Sequence, residues 1–324
     1  MIAAAASSSA AASAPPSPRT GTDRSVALPL LAVHLLGLGL APLTFTRAGL
    51  IACAAMYLVT GLGVTAGAHR LFTHRAFRPT PITRDLLALA FLLSAQGSLR
   101  RWVRDHHIHH VYSDDAGDPH SPERAGFFSA HFGWLWKRPP TRAESRDLYQ
   151  RFTHGLDIGR VGRFFERGGP LVALHLGALA MAYLTGAIIE AGVTPRAIVG
   201  GAHTGLSLVV WGGLLRIVLV MHSTFLVNSA AHRWGSRRYA TREGSRNLWW
   251  VALLALGEGW HNNHHSRAAA ANNGFHRFWE IDLTFLVVLA LGALGLCSDV
   301  RVYRARQGKV EIWWKSTDAS GAGG

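Results

Sequence analysis

The sequence has 324 residues, with 33 lysines and arginines against 19 aspartates and glutamates, giving a formal net charge of +14. Hydrophobic residues make up 49% and charged residues only 16%, below the roughly 25% that is usual in soluble domains, so the composition indicates a membrane protein. The basic residues cluster between apolar segments and form no DNA- or RNA-binding motif, which argues against a nucleic-acid partner.

The chain begins with 25 residues rich in alanine, serine and proline, and we predict a disordered tail at 1–25. The next two apolar segments, 26–44 and 48–68, have the length that crosses about 30 Å of hydrocarbon. They predict a hairpin of two membrane spans. His69 then lies where the second span ends, at the membrane surface.

A shorter apolar run follows at 86–99, and Gln96 interrupts it. We expect this run to lie at the membrane interface or inside the protein, because it is too short to cross a bilayer. The arginine-rich stretch from 100 to 168 is typical of a cytoplasmic region. Aromatic residues within it suggest packing against the membrane surface.

Two further spans are predicted at 170–191 and 198–220. The run at 283–297 is ambiguous in length, and we assign it to the cytoplasmic region or the interface. The fold class is therefore an all-α membrane protein with four transmembrane helices in residues 26–300. We expect a cytosolic helical cap from 69–168 and 226–300, followed by a basic flexible tail at 301–324.

Histidines stand out in this sequence, because nine of the eighteen fall in four clusters. On a helix the first and fifth residues of an HxxHH box share a face, while the fourth points about 60–100° away. Imidazole binds zinc, copper, iron or nickel, and nine nitrogens fit two ions better than one. A single histidine in an apolar protein is usually structural, but this repetition predicts a dinuclear metal site. The clusters are His69 with His74; His106, His109 and His110; Asn228 with His232; and His261, His264 and His265.

These clusters and their neighbours resemble the membrane fatty acyl desaturases, specifically the stearoyl-CoA (delta-9) type. The resemblance implies an oxidoreductase that uses dioxygen to insert a cis double bond into a saturated long-chain acyl-CoA. It covers roughly residues 30–300. The matching segments are His69–His74, Arg104–His110, Asp118–His120, Gly126–Phe128, Gly133–Leu135, Asn228–His232 and Glu258–His265.

The resemblance also implies how the histidines divide between two ferrous ions, which act with dioxygen as co-substrate. His107 falls at a position that is not a ligand in the family. The first iron would be held by His69, His74, His106, His110 and His264, and the second by His109, His232, His261 and His265, with Asn228 acting through water.

The same resemblance implies which residues contact the substrate. Phe225 stands where the family usually has a tryptophan, and Gly97 where it has an asparagine. The implied contacts are Arg104 and Asp105 at the thioester headgroup, Lys137 and Arg138 near the phosphates, and Gln96, Trp102 and Phe225 along the acyl tunnel.

Two electrons must come from outside this segment of chain, because it has no flavin, nicotinamide, haem or CxxC motif. Its two cysteines, Cys53 and Cys297, lie in apolar runs. We expect a separate donor such as a ferredoxin, rubredoxin or cytochrome b5-type protein with its reductase. The expected location is a multi-pass position in a bacterial inner membrane, with the cap and both termini cytoplasmic.

Three alternatives remain open at this stage. The acyl group could be carried by a lipid or a carrier protein instead of coenzyme A. The same metal site could hydroxylate a fatty acid or an alkane. In a different class, a histidine-rich metal transporter or haem-binding membrane protein would place its ligands within the spans, whereas here the boxes lie at or beyond their ends.

Overall fold

The computed structural model describes residues 15–17, 21–137, 141–191, 202–305 and 307–313. The fold is mostly helical. The α-helices are α1 Arg24–Leu40, α2 Arg47–Leu62, α3 Pro81–Leu92, α4 Leu99–Tyr112, α5 Pro122–His131, α6 Arg142–Phe152, α7 Gly159–Phe165, α8 Gly168–Ala191, α9 Ala202–Ser207, α10 Arg216–Ser229, α11 Trp249–Leu254, α12 His261–Ser266 and α13 Leu283–Ala293. Two π-helical segments, Gly63–Thr73 and Leu208–Leu215, and three 3₁₀ turns, Pro42–Thr44, Gly133–Trp136 and Ala230–His232, connect or extend them.

Three helical stretches within the described residues are long and apolar enough to cross a membrane. They are Arg47–Thr73, Gly168–Ala191 and Ala202–His232, and they correspond to the second, third and fourth predicted spans, of which 198–201 lie outside the described residues. The first predicted span corresponds to α1, an apolar helix of 17 residues that gives way to a 3₁₀ turn beginning at Pro42.

The helical stretch Arg47–Thr73 changes to π-helical geometry at Gly63, just before the first histidine cluster. A Cβ atom at Gly63 would lie 2.3 Å from the backbone of Phe91, so only glycine allows α3 to pack this closely. Every residue from Gly63 to Thr73 is buried. This packing fixes His69 inside the protein.

The predicted interfacial run at 86–99 does not form one segment. Helix α3 begins earlier, at Pro81, with the Thr80 side chain as its N-cap, and it ends at Leu92. The chain then turns through Gly97, whose φ of +88° favours glycine, and α4 begins at Leu99 behind the Ser98 cap.

Two small antiparallel sheets correct the expectation of an all-α fold. Strand β1 (Arg78–Pro79) pairs with β2 (Cys297–Ser298), and β3 (Val300–Arg304) pairs with β4 (Lys309–Trp313). The second pair occupies the start of the region that we expected to be a flexible tail. Its residues alternate apolar with polar in the strand pattern, and Val300 and Val302 are buried.

Candidate metal centre and acyl cavity

Helix α4 supplies three of the clustered histidines, and the short helix α12 supplies three more. His69 lies in the π-helical end of the stretch Arg47–Thr73, His74 caps that end, and His232 ends the 3₁₀ turn after α10. Four separate parts of the chain therefore bring these histidines together.

The first group consists of His69, His74, His106, His110 and His264, whose candidate ligand atoms all lie within 4.8 Å of one another. Its Nε2 atoms face each other closely. His69 Nε2 lies 3.0 Å from His264 Nε2, His264 Nε2 lies 3.0 Å from His110 Nε2, and His74 Nε2 lies 3.1 Å from His106 Nε2. We call this group centre one.

The second group consists of His109, His232, His261 and His265, again with candidate ligand atoms within 4.8 Å of one another. His232 Nε2 and His261 Nε2 are 3.0 Å apart. We call this group centre two. The structure thus brings together the same five and the same four histidines that the motifs grouped, and their role as ligands stays a prediction.

Carboxylate groups lie opposite the Nδ1 atoms of several of these histidine rings. A carboxylate accepts a hydrogen bond, so each facing Nδ1 carries the hydrogen and leaves the Nε2 lone pair directed into the centre, as in carboxylate–histidine–metal arrangements. The close pairs are His69 Nδ1 with Glu258 Oε2 at 2.6 Å, His109 Nδ1 with Asp118 Oδ1 at 3.1 Å and His232 Nδ1 with Asp114 Oδ2 at 2.9 Å. His265 Nδ1 lies 3.5 Å from Glu243 Oε1.

The protonation states suit metal binding, which requires neutral imidazole. Burial, reinforced by the neighbouring histidines, lowers the pKa of His74, His106 and His110 well below the usual value of 6.5. The same causes lower the pKa of each of the three α12 histidines. Converging neutral nitrogens that share no hydrogen repel one another, so the donor set fits a cation in each centre.

His109 and its carboxylate partner differ from this pattern. Burial alone would lower the pKa of His109. The charge and hydrogen bonds of Asp118 outweigh burial, so the pKa of His109 is raised overall. In the neighbouring pair, burial raises the pKa of Asp114, yet its hydrogen bond and charge interaction with His232 bring it down to about 2. Both carboxylates are therefore anionic supports of centre two.

The carboxylate behind centre one is held by a buried ion pair. Arg70 donates to Glu258 Oε1 at 2.9 Å and to Asp282 Oδ1 at 2.9 Å. Asn273 Nδ2 also donates to Glu258 Oε2 at 2.8 Å. This network fixes the carboxylate against His69 and neutralises part of its charge.

Two adjoining pockets, which we call the inner and the outer chamber, lie beside the centres. Trp102, His106, Thr224 and Asn228 line both chambers and so form their junction. The inner chamber runs past centre one and along the helical stretch Arg47–Thr73 to Tyr57. The outer chamber extends towards α1. The inner chamber is also lined by Tyr57, Gly61, Val64, His69, Leu256 and His261, and the outer one by Val26, Gln96, Arg101, Asp105, Trp134 and Phe225.

Trp102 shapes the junction between these chambers. Its ring stacks on His106 at 5.0 Å between centroids, and its Nε1 donates to Gln96 Oε1 at 3.1 Å. Gln96 Nε2 in turn donates to Thr224 Oγ1 at 3.0 Å. An extended apolar chain that lies in both chambers would therefore pass beside His106.

The predicted substrate residues are divided by the structure. Gln96, Trp102, Asp105 and Phe225 line the cavity, and so does Asn228. Arg138 lies outside the described residues, and Lys137 pairs by its backbone with Thr22 and is not among the lining residues.

Contact of Arg104 with the headgroup stays a prediction, and in the structure the Arg104 side chain is buried. It is 3% exposed, donates to Asp105 Oδ1 at 2.7 and 2.8 Å and lies over the Tyr149 ring. Arg101 lines the outer chamber together with Asp105, which lies one helical turn further along α4.

Comparison with known proteins now adds to this geometry. The family model for fatty acid desaturases matches residues 44–288. The chain belongs to the fatty acid desaturase family. This confirms the resemblance that the histidine boxes suggested, and membership of an oxidoreductase family of lipid metabolism follows from it.

Named relatives cover most of this desaturase. An sn-1 stearoyl-lipid 9-desaturase from Anabaena variabilis is 38% identical over 82% of this chain and 89% of its own. A delta-9 acyl-lipid desaturase from Arabidopsis thaliana is 34% identical, over 83% and 80% respectively. An acyl-CoA C20 delta-5 desaturase from Anemone leveillei is 34% identical, over 83% and 79%.

Sequence reasoning missed the supporting carboxylates of the desaturase. Asp114, Glu243 and Glu258 received no role, and Arg70 and Asp282 were not singled out. The available signals were local, since Arg70 follows a histidine of the first cluster and Glu258 precedes the last box by three residues. The other contacts join residues that are far apart in sequence and could not be predicted from it. Asp114 and His232, for example, are brought together only by the fold.

Proposed function

We propose that the protein inserts a cis double bond at the delta-9 position of a saturated long acyl chain that is esterified in a membrane lipid. The observation that carries this proposal is the two-chamber cavity, whose junction is lined by His106 of centre one and by Asn228. The family and the names of the stearoyl-lipid relatives support it.

The nine histidines would hold two iron ions, and Asn228 would act on centre two through water. When bound, the irons supply the reaction of dioxygen that removes two hydrogens from unactivated methylene groups. The chain's own residues orient the acyl group, because Trp102 and Thr224 confine it beside His106. The buried surroundings exclude water from the reacting carbons.

The charges of the outer chamber favour a lipid over coenzyme A. Coenzyme A phosphates require cations, yet among the described residues that line this chamber Arg101 is the one arginine or lysine, and its guanidinium lies 3.8 Å from Asp105. Arg104 is buried and committed to Asp105. A lipid headgroup stays at the bilayer surface and needs no such cluster of cations.

For the topology, we propose that α1 acts as the fourth span beside the three longer stretches. The cap and both chain ends would then face the cytoplasm, because the arginine-rich segments lie on that side. The aromatic residues around Trp134 and Trp136 suit the membrane interface.

Expression in a bacterial host that lacks unsaturated fatty acids tests this function. We expect 9(Z)-octadecenoate to accumulate in glycerolipids, and purified enzyme with its reductant to convert stearoyl-lipid but not stearoyl-CoA at a comparable rate. Double-bond position is read by mass spectrometry of derivatised lipids. Hydroxylated fatty acids would favour the hydroxylase, and faster conversion of stearoyl-CoA would contradict the lipid-linked substrate.

A further inference from the structure

An arginine-rich loop lies between the third and fourth histidine clusters. Residues 233–247, which we call the basic loop, contain five arginines and one acidic residue, Glu243. Glu243 is buried, whereas Arg233, Arg237 and Arg242 are exposed. The outward side of the loop is therefore strongly cationic.

The basic loop is anchored and does not simply cover the surface. Its ends are joined where Asn247 N donates to Ser236 O at 2.7 Å and Ser236 N donates to Asn247 O at 3.0 Å. In its middle, Asn262 Oδ1 accepts from Arg238 N and Tyr239 N, each at 2.8 Å. Because Asn262 belongs to α12, the loop is attached to the helix that carries three of the clustered histidines.

The same loop contacts the carboxylates that support centre two. Gly244 N donates to Asp114 Oδ2 at 2.8 Å, and that oxygen accepts from His232 Nδ1 at 2.9 Å. Glu243 faces His265 at 3.5 Å. Two hydrogen bonds thus connect the loop backbone to a histidine of centre two. A Cβ at Gly244 would approach His232 O to 3.0 Å, so the loop lies directly on the centre.

The carboxylate that supports centre one, Glu258, is buried together with Arg70, Asn273 and Asp282. The basic loop instead reaches centre two, because its Gly244 N and His232 Nδ1 both donate to Asp114 Oδ2.

We propose that the basic loop is the docking surface for an acidic one-electron carrier protein of the ferredoxin or cytochrome b5 kind, and that electrons enter at centre two. This inference rests on the proposed desaturation. There, a CH₂–CH₂ unit, O₂, two electrons and two protons give CH=CH and two waters, so two electrons per turnover come from a reductant. The carrier supplies them one at a time.

Charge complementarity makes specific demands on the partner. Arg238 is committed to Glu280, and Arg237 donates to Thr241 O and Glu243 O inside the loop. Arg233 and Arg242 are exposed and supply the outward charges. Arg242 also donates to Val111 O at 2.8 Å and lies 3.8 Å from the exposed Asp115. Rim charges of this kind act mainly on the association rate and its salt dependence.

The test uses full-length protein in nanodiscs and two probes, plant-type [2Fe–2S] ferredoxin and cytochrome b5. We expect the double variant Arg233→Glu and Arg242→Glu to weaken salt-dependent binding of at least one probe about tenfold by calorimetry. Turnover driven by that carrier should fall similarly, while metal content and turnover driven by dithionite with methyl viologen stay unchanged. The matched control, Arg160→Glu with Arg163→Glu on α7, makes the same change in net charge at exposed positions and should alter binding less than twofold.

Equal loss in the control pair, unchanged binding in the loop pair, or no salt-dependent binding of either probe would overturn the proposal. If the double variant folds poorly, the single variant Arg233→Glu is measured in the same binding assay, because Arg233 is an exposed loop residue. The binding readout does not depend on desaturation. An absence of unsaturated product with the chemical reductant would contradict the proposed function and leave the docking result to stand separately.

Discussion

Replacing His264 by alanine is expected to lower the metal content from about two ions to about one per chain and to abolish desaturation. His264 is 1% exposed, and its Nε2 lies 3.0 Å from the Nε2 atoms of both His69 and His110. Loss of a supporting hydrogen bond costs about 10–100-fold in metal affinity, and we expect removal of a ligand to cost at least the upper end of that range. Metal content is measured by plasma mass spectrometry after dialysis.

His107 provides the matched control, since it lies beside His106 but turns away from both centres. Its ring nitrogens lie 2.7 Å from Phe152 O and 3.1 Å from Thr73 O, so it ties α4 to neighbouring backbone. The alanine variant should keep two metal ions, although its unfolding temperature should fall. Equal metal loss in both variants, or none in the His264 variant, would show that the grouping into centres is wrong.

Gly61→Leu is expected to shorten the acyl chain that the enzyme accepts. Gly61 lines the inner chamber, where a Cβ atom would already approach Leu256 Cδ1 to 2.9 Å. A leucine side chain would fill the chamber short of Tyr57, which lies four residues before Gly61 on α2, about one helical turn away. If two methylene groups lose their burial at about 0.8 kcal/mol each, activity on an 18-carbon chain falls roughly fifteenfold relative to a 16-carbon chain.

The measurement is a competition between 16- and 18-carbon lipids, analysed by gas chromatography of the products. Gly39→Leu is the matched control, because that glycine lies on the exposed side of α1 with nothing within 4 Å of an added Cβ. It should leave the product ratio unchanged. An unaltered ratio in the Gly61 variant would mean that the acyl chain does not enter the inner chamber.

Helical periodicity explains why so much of the candidate site could be predicted. His106 and His110 lie four residues apart and His109 lies between them, and the structure places these side chains in two groups as the helix angles require. The length of the apolar run also predicted α8, because an uninterrupted apolar run of that length is typical of a membrane-spanning helix.

Contacts between distant residues could not be predicted in this way. Arg104 was expected at the headgroup because of its position in a motif, yet Tyr149 and Asp105 bury it, and Arg101 faces the chamber. The β3–β4 hairpin was also missed, because a short basic segment at the end of an apolar chain resembles a tail. Its burial depends on the core that Val300 joins.

The most direct test of a two-metal histidine centre is iron X-ray absorption on the catalytically active wild-type protein, together with an iron count per chain. We predict two irons per active chain, each with a first shell of nitrogen and oxygen and no sulfur scatterer. Full desaturase activity in protein that holds one iron or none, or a sulfur ligand at either iron, would contradict the account.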